Sequence, residues 1–220
     1  MAIGSQAAAM GSGRSSEVLA GVRDAVGPDV AVLVDVQYAF PDAATALAVL
    51  GTWQEYNLFF VETPLWPDDL DGYRRLAEEQ PIPIAAGEWL TTRFEHIDLM
   101  DRGQVQIVQP DIGRVGGLTE ARRVCELAAQ RGLQVVPISG KTGISVAAAV
   151  HLAATAPHCP YIEYMPANLT ASGLRRDVAD DGVQLTGGRV ALPTRPGLGV
   201  EVNWDAVAQY EAAARKAYRG

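Results

Sequence analysis

Three short apolar runs in this chain each close on an acidic residue at almost constant pitch: VAVLVD on Asp35, LFFVE on Glu62 and IPIAAGE on Glu88. The intervals are 27 and 26 residues, the length of one strand, one helix and two loops. The spacing therefore predicts three carboxylates at equivalent ends of successive parallel strands. Taken singly, each acid also fits the cap of a following helix. Taken together, they describe a metal site. Carboxylate oxygens without Cys or His suit a hard cation, and three of them leave room on Mg²⁺ for waters or substrate oxygens.

The same rhythm extends along the chain. Apolar runs at 30–35, 58–62, 82–88, 105–111, 133–137 and 161–164 alternate with helical patterns such as SSEVLAGVRDAV, DLDGYRRLAEEQ and GLTEARRVCELAAQRG. Strands apolar on both faces, joined by helices, predict a parallel α/β sheet, either doubly wound or closing into a barrel. Candidate functional residues at several different strand ends favour the barrel. The expected organisation is a flexible Gly/Ser/Ala leader over 1–14, a partial TIM-type (β/α) barrel of about six parallel strands over 15–176, and a tail over 177–220. That tail reads as a hairpin around Gly187 and Gly188, an extended Pro/Gly segment and a helix.

Composition narrows the partners. With 220 residues, 48% of them hydrophobic and 20% charged, the chain can bury one sizeable core. A net charge of −8 and the lack of a basic stripe argue against nucleic acid. No apolar stretch approaches a membrane span, and the opening MAIGSQAAAMGSGR lacks the features of a secretory signal. Cys125 and Cys159, without CxxC spacing, fit reduced thiols in a cytoplasmic setting. A small molecule is the expected ligand.

The motifs VDVQ, VETPLWPDDL, AAGEWLTTRFE, QPDIGRVGGLTEARRV, VVPISGKTGISVAAAVHLAA and PYIEYMP cover most of Ser15 to Pro166. In them the chain resembles the enolase superfamily, specifically its mandelate racemase/muconate lactonizing enzyme-like branch with the acid-sugar dehydratases. The resemblance implies an enolase C-terminal domain-like barrel in which Asp35, Glu62 and Glu88 bind Mg²⁺. The metal would hold a substrate carboxylate whose α-proton is removed to give an enediolate. Glu163 matches the family's last-strand glutamate, which must be protonated to donate to a carboxylate oxygen. Asp111 matches the acid that orients a His at the end of the next strand.

Here the chain departs from the pattern. The His position is Ile138, which cannot move a proton, and His96, His151 and His158 all fall elsewhere. No Lys precedes Asp35, so the family's Lys-x-Lys motif, its first two barrel strands and its capping domain have no counterpart in this sequence. Lys141 is the basic side chain near the vacant base position, and Arg114 is placed to reach either a ligand carboxylate or Asp111. Two functions stay open on these residues. One is a lyase or isomerase acting on an acid sugar, with Asp111, Lys141 and Glu163 as the catalytic set and Arg114 and Glu163 contacting substrate. The other is a truncated, catalytically impaired homologue that keeps only metal binding. Six strands cannot close an eight-stranded barrel, so a homo-oligomer is also expected.

Overall fold

A computed structural model describes residues 2–3, 12–138, 140–164, 172–180 and 182–219. Strand β1 (Ala2–Ile3) and helix α1 (Ser12–Val26) lead into β2 (Val32–Asp35) and α2 (Ala43–Gly51). Next come β3 (Leu58–Glu62), α3 (Leu70–Glu79), β4 (Ile84–Ala86), α4 (Arg93–Asp101), β5 (Ile107–Val108), α5 (Leu118–Gln130), β6 (Gln134–Val135) and α6 (Gly143–Thr155). The tail holds α7 (Gly173–Asp177), β7 (Leu185–Thr186), β8 (Arg189–Val190) and α8 (Trp204–Arg219).

Strands β1 to β6 form one parallel sheet in sequence order. Its apolar strands serve two separate cores. Val34, Val61, Ile84, Val108 and Val135 face the helices, where they are buried with Leu50, Leu76, Leu99, Val124 and Leu152. On the opposite face Phe60, Ala85, Ile107 and Val136 form a second buried layer, with Leu33 and Phe59 against it. A sheet with apolar residues on both faces must be covered on both, which is the arrangement of a barrel wall. Between Val32↔Leu58 and Leu33↔Phe60 the register slips, leaving Phe59 as an extra residue, and such a bulge increases local bending. Phe59 then meets Tyr161 edge-on, ring centroids 5.3 Å apart. That contact joins β3 to the segment after α6, so the sheet curls around its inner layer.

The helices start where local chemistry satisfies their first N–H groups. Asp42 and Asp69 cap α2 and α3, and Thr92 with Glu95 forms a capping box on α4. Each cap fixes the exit of a βα loop, and those loops carry the candidate site.

Several expectations change. The first fourteen residues are not all a free leader: Ala2 and Ile3 pair with Leu33 and Val34, and α1 begins at Ser12 rather than Ser15. The leader residues 1 and 4–11 lie outside the described set. The sixth expected strand, 161–164, is not a strand. Glu163 N–H bonds Pro137 O at 3.0 Å and Val135 N–H bonds His158 O at 3.1 Å, but Pro137 and Pro160 have no N–H with which to complete a ladder. The sheet reaches six strands through β1 instead. The hairpin is present, with Gly187 and Gly188 both left-handed (φ 57° and 74°), as a two-residue turn requires. In the tail, Val183, Leu198 and Val200 pack on Val146, Ala147 and Val150 of α6.

Candidate active site

Asp35 and Glu62 are register partners at the ends of β2 and β3, so their side chains leave the sheet side by side. Glu88 follows two residues after β4, beyond Gly87, whose φ of 127° suits glycine and turns the chain. Glu163 extends the same rim beside Pro137. Thus the four acids expected at strand ends do share one end of the sheet.

Each is held in a distinct way. Asp35 Oδ1 accepts from Thr63 Oγ1 at 2.9 Å and from the Gln37 N–H at 2.8 Å. Glu88 Oε1 accepts from the Tyr38 hydroxyl at 2.7 Å. Glu62 is 7% exposed. Burial first, then the charges of Glu163, Asp35 and Glu88, hold its carboxyl well above the usual range. Glu88 is raised as well, chiefly by burial. Burial and the charges of Asp35, Glu88 and Asp111 push Glu163 up to about 7, and its Oε2 is buried without a hydrogen-bond partner. Gln109 lies beside Glu62 and favours its charged form, yet neither of its amide atoms makes a well-formed bond.

These shifts share their causes, burial of the carboxyls first and an excess of negative charge second. An oxygen-only donor set with uncompensated charge suits a divalent cation such as Mg²⁺. Among the described residues, however, no group of three or more His, Cys, Asp or Glu side chains is drawn together closely enough to hold an ion. The acids face one another across the rim.

The proton-transfer corner has a different composition. Ile138 makes a parallel bridge to Asp111, at the position where a histidine was looked for. Asp111 is buried, accepts the Gly113 N–H at 2.8 Å, and is ion-paired with both the Lys141 ammonium and Arg114 Nε, the latter at 3.4 Å. The choice open for Arg114 is resolved toward Asp111, and its guanidinium also lies 4.1 Å over the Trp89 ring. No histidine repairs the corner. His96 is buried within α4 and bonded to Thr92, His151 contacts Leu198 O, and His158 sits in the turn after α6. Both cysteines, Cys125 and Cys159, are free thiols.

Sequence reading missed Thr63, Tyr38 and Gln109. Gln109 had a signal, since it lies two residues before Asp111 on the same strand face. Tyr38 and Thr63 had none: Gln37, Tyr38 and Thr63 all take left-handed backbone (φ 45°, 61° and 45°), which residue type does not announce.

A curled parallel sheet with its carboxylates gathered at the carboxyl ends of the strands defines a (β/α)-barrel protein with its chemistry at that rim. Residues 5–206 match the family described as Enolase C-terminal domain-like, and the chain belongs to that family. It is 33% identical to a D-galactarolactone cycloisomerase of Agrobacterium fabrum, over 88% of this chain and 52% of the relative. It is 34% identical to an arabinonate dehydratase of Saccharolobus solfataricus, over 89% and 51%. The 3,6-anhydro-D-galactonate cycloisomerase structure from Zobellia galactanivorans superposes with a TM-score of 0.85 at 32% identity, over 96% of this chain and 57% of that one. The chain thus spans about half the length of the curated relatives it matches.

Proposed function

We propose that this chain is a Mg²⁺-dependent acid-sugar protein of the dehydratase or racemase type, whose reaction begins with loss of the proton α to a substrate carboxylate. The observation that carries this reading is the placement of Asp35, Glu62, Glu88 and Glu163 at one rim, where burial first and then their mutual repulsion raise three of them. Relatives named as acid-sugar dehydratases and cycloisomerases support the substrate class.

Asp35, Glu62 and Glu88 would hold the cation. When bound, it would stabilise negative charge on the substrate carboxylate as the α-proton leaves. Thr63 and Tyr38 fix Asp35 and Glu88 before a ligand arrives, which reduces reorganisation. With its proton retained, Glu163 can donate a hydrogen bond to a carboxylate oxygen. Lys141 is ion-paired with Asp111 beside this rim.

A second reading, metal and ligand binding without turnover, is favoured by Ile138 at the position expected for the base. Both readings require the cation. Glu62→Gln should weaken Mg²⁺ binding by roughly tenfold or more, because the ion takes few protein ligands. Calorimetric titration giving the same affinity as the parent would remove the metal site from both.

A further inference from the structure

Three aromatic side chains from three successive βα loops meet above the acids. Tyr38 stacks on Trp66 with centroids 5.1 Å apart and planes 14° from parallel. Trp89 meets Tyr38 edge-on at 6.3 Å. The corner is rigid. The Tyr38 hydroxyl is fixed by Glu88, its N–H bonds Thr63 O at 2.7 Å, and Trp66 follows the fully buried Leu65. Arg114 covers one face of Trp89. Trp66 nevertheless stays 60% exposed and Trp89 49%. Exposed indole on a preorganised rim, one hydrogen bond from a site acid, has the composition of a ligand subsite.

We propose that Tyr38, Trp66 and Trp89 form an aromatic subsite that takes the ring of a cyclic sugar acid whose carboxylate lies among the strand-end acids. This rests on the acid-sugar reading above and adds a preference for ring over open-chain ligands. An aromatic face carries partial negative charge and attracts the positive C–H edges of a neighbour. A pyranose or furanose ring offers a flat patch of axial C–H groups and loses little conformational freedom on stacking. An open-chain polyol offers no such face and must freeze several torsions to lie flat. Tyr38 covers one face of Trp66, so the ring would take the other, and continuity through Tyr38 to Glu88 orients the carboxylate toward the acids.

The test is titration calorimetry of the chain in saturating Mg²⁺ with D-galacturonate, a pyranose acid, and D-galactonate, an open-chain hexonate. The ring acid should bind roughly three- to tenfold more tightly, the range expected of one aromatic contact. Trp66→Ala and Trp66→Leu should erase that preference while leaving D-galactonate affinity within about twofold, and Trp66→Phe should retain most of it. Unchanged unfolding midpoints would show that the exposed position tolerates these changes. If both acids bind equally and Trp66→Ala changes neither, the subsite is wrong and the acid-sugar reading stands. If neither acid binds, both fall.

Discussion

Lys141 and Asp111 form an ion pair beside Ile138, so the buried acid expected to orient a catalytic base is neutralised by a cation instead. Arg114 reaches the same carboxylate oxygen, Oδ2. A doubly paired Asp111 holds both cations at one place beside Ile138. The corner thus holds positive charge near the rim, with an isoleucine where a base is expected.

This pairing predicts slow α-proton exchange. A positioned base contributes ~10²- to 10⁴-fold, and the chain should fall short by that range. Deuterium incorporation at C2 of D-galactonate in Mg²⁺-containing D₂O, followed by proton NMR, should stay near the metal-only background and be unaffected by Lys141→Ala. Rapid exchange lost in that variant would make Lys141 the base.

The raised acids predict a stability that falls with pH in the metal-free chain. Glu163 has a folded pKa of about 7, above its ordinary value of 4.5. Between those values the folded state binds more protons than the unfolded one, so the contribution is complete below pH 4.5 and lost as pH rises through 7. Glu62 and Glu88 shift in the same direction. Thermal unfolding without divalent ions should show a midpoint several degrees lower at pH 7.5 than at pH 5, corresponding to about 2–3 kcal/mol. Glu163→Gln should flatten the profile, and a midpoint that rises with pH in the parent would contradict the crowding of these carboxylates.

Thr63 predicts a separation of binding from stability. Its hydroxyl donates to Asp35, while its left-handed backbone is unusual for a β-branched residue. Thr63→Val keeps shape and backbone but removes the donor. Supporting residues of this kind contribute roughly tenfold or more to metal affinity, whereas loss of one such hydrogen bond costs about 1 kcal/mol of stability. Parallel calorimetry and denaturant unfolding should therefore show a large change in Mg²⁺ binding and a small one in stability; equal Mg²⁺ affinity would show that Asp35 needs no such support.

Self-association is proposed from the exposed edges. Strand β1 is only two residues long, and an open cavity of about 790 Å³ at the amino ends of the strands is lined by Val30, Phe59, Ile82, Ile107 and Leu133 among others. That cavity lies opposite the acids and is not the candidate site. A homo-oligomer burying ~2,000 Å² or more would cover such surface. Light scattering at low micromolar concentration should give a mass at least twice that of the 220-residue chain, and a cooperatively unfolding monomer would count against it.

Much of the wall was legible from hydrophobic pattern. Runs apolar at every position demand cover on both faces, and the pitch from Asp35 to Glu62 to Glu88 carried through to a shared rim. The last expected strand was misread because YIEY has strand-like residues, whereas its pairing depends on Pro137 and Pro160, which withhold donors. Strand β1 escaped notice because a two-residue pairing has no periodicity to detect.

By itself, then, the sequence determined which residue types lie at the strand ends, since the period of strand and helix sets how often the chain returns to one rim. It also determined that Ile138 cannot serve as a base. Only the tertiary structure decided how those residues are partnered. Arg114 could reach Asp111 or a ligand, and it turned to Asp111 because that buried carboxylate lies three residues away across a tight turn. Tyr38 came to Glu88 across 50 residues through two left-handed backbone positions. Local propensity disfavours that conformation, so it persists because bonds from neighbouring strands hold it in place.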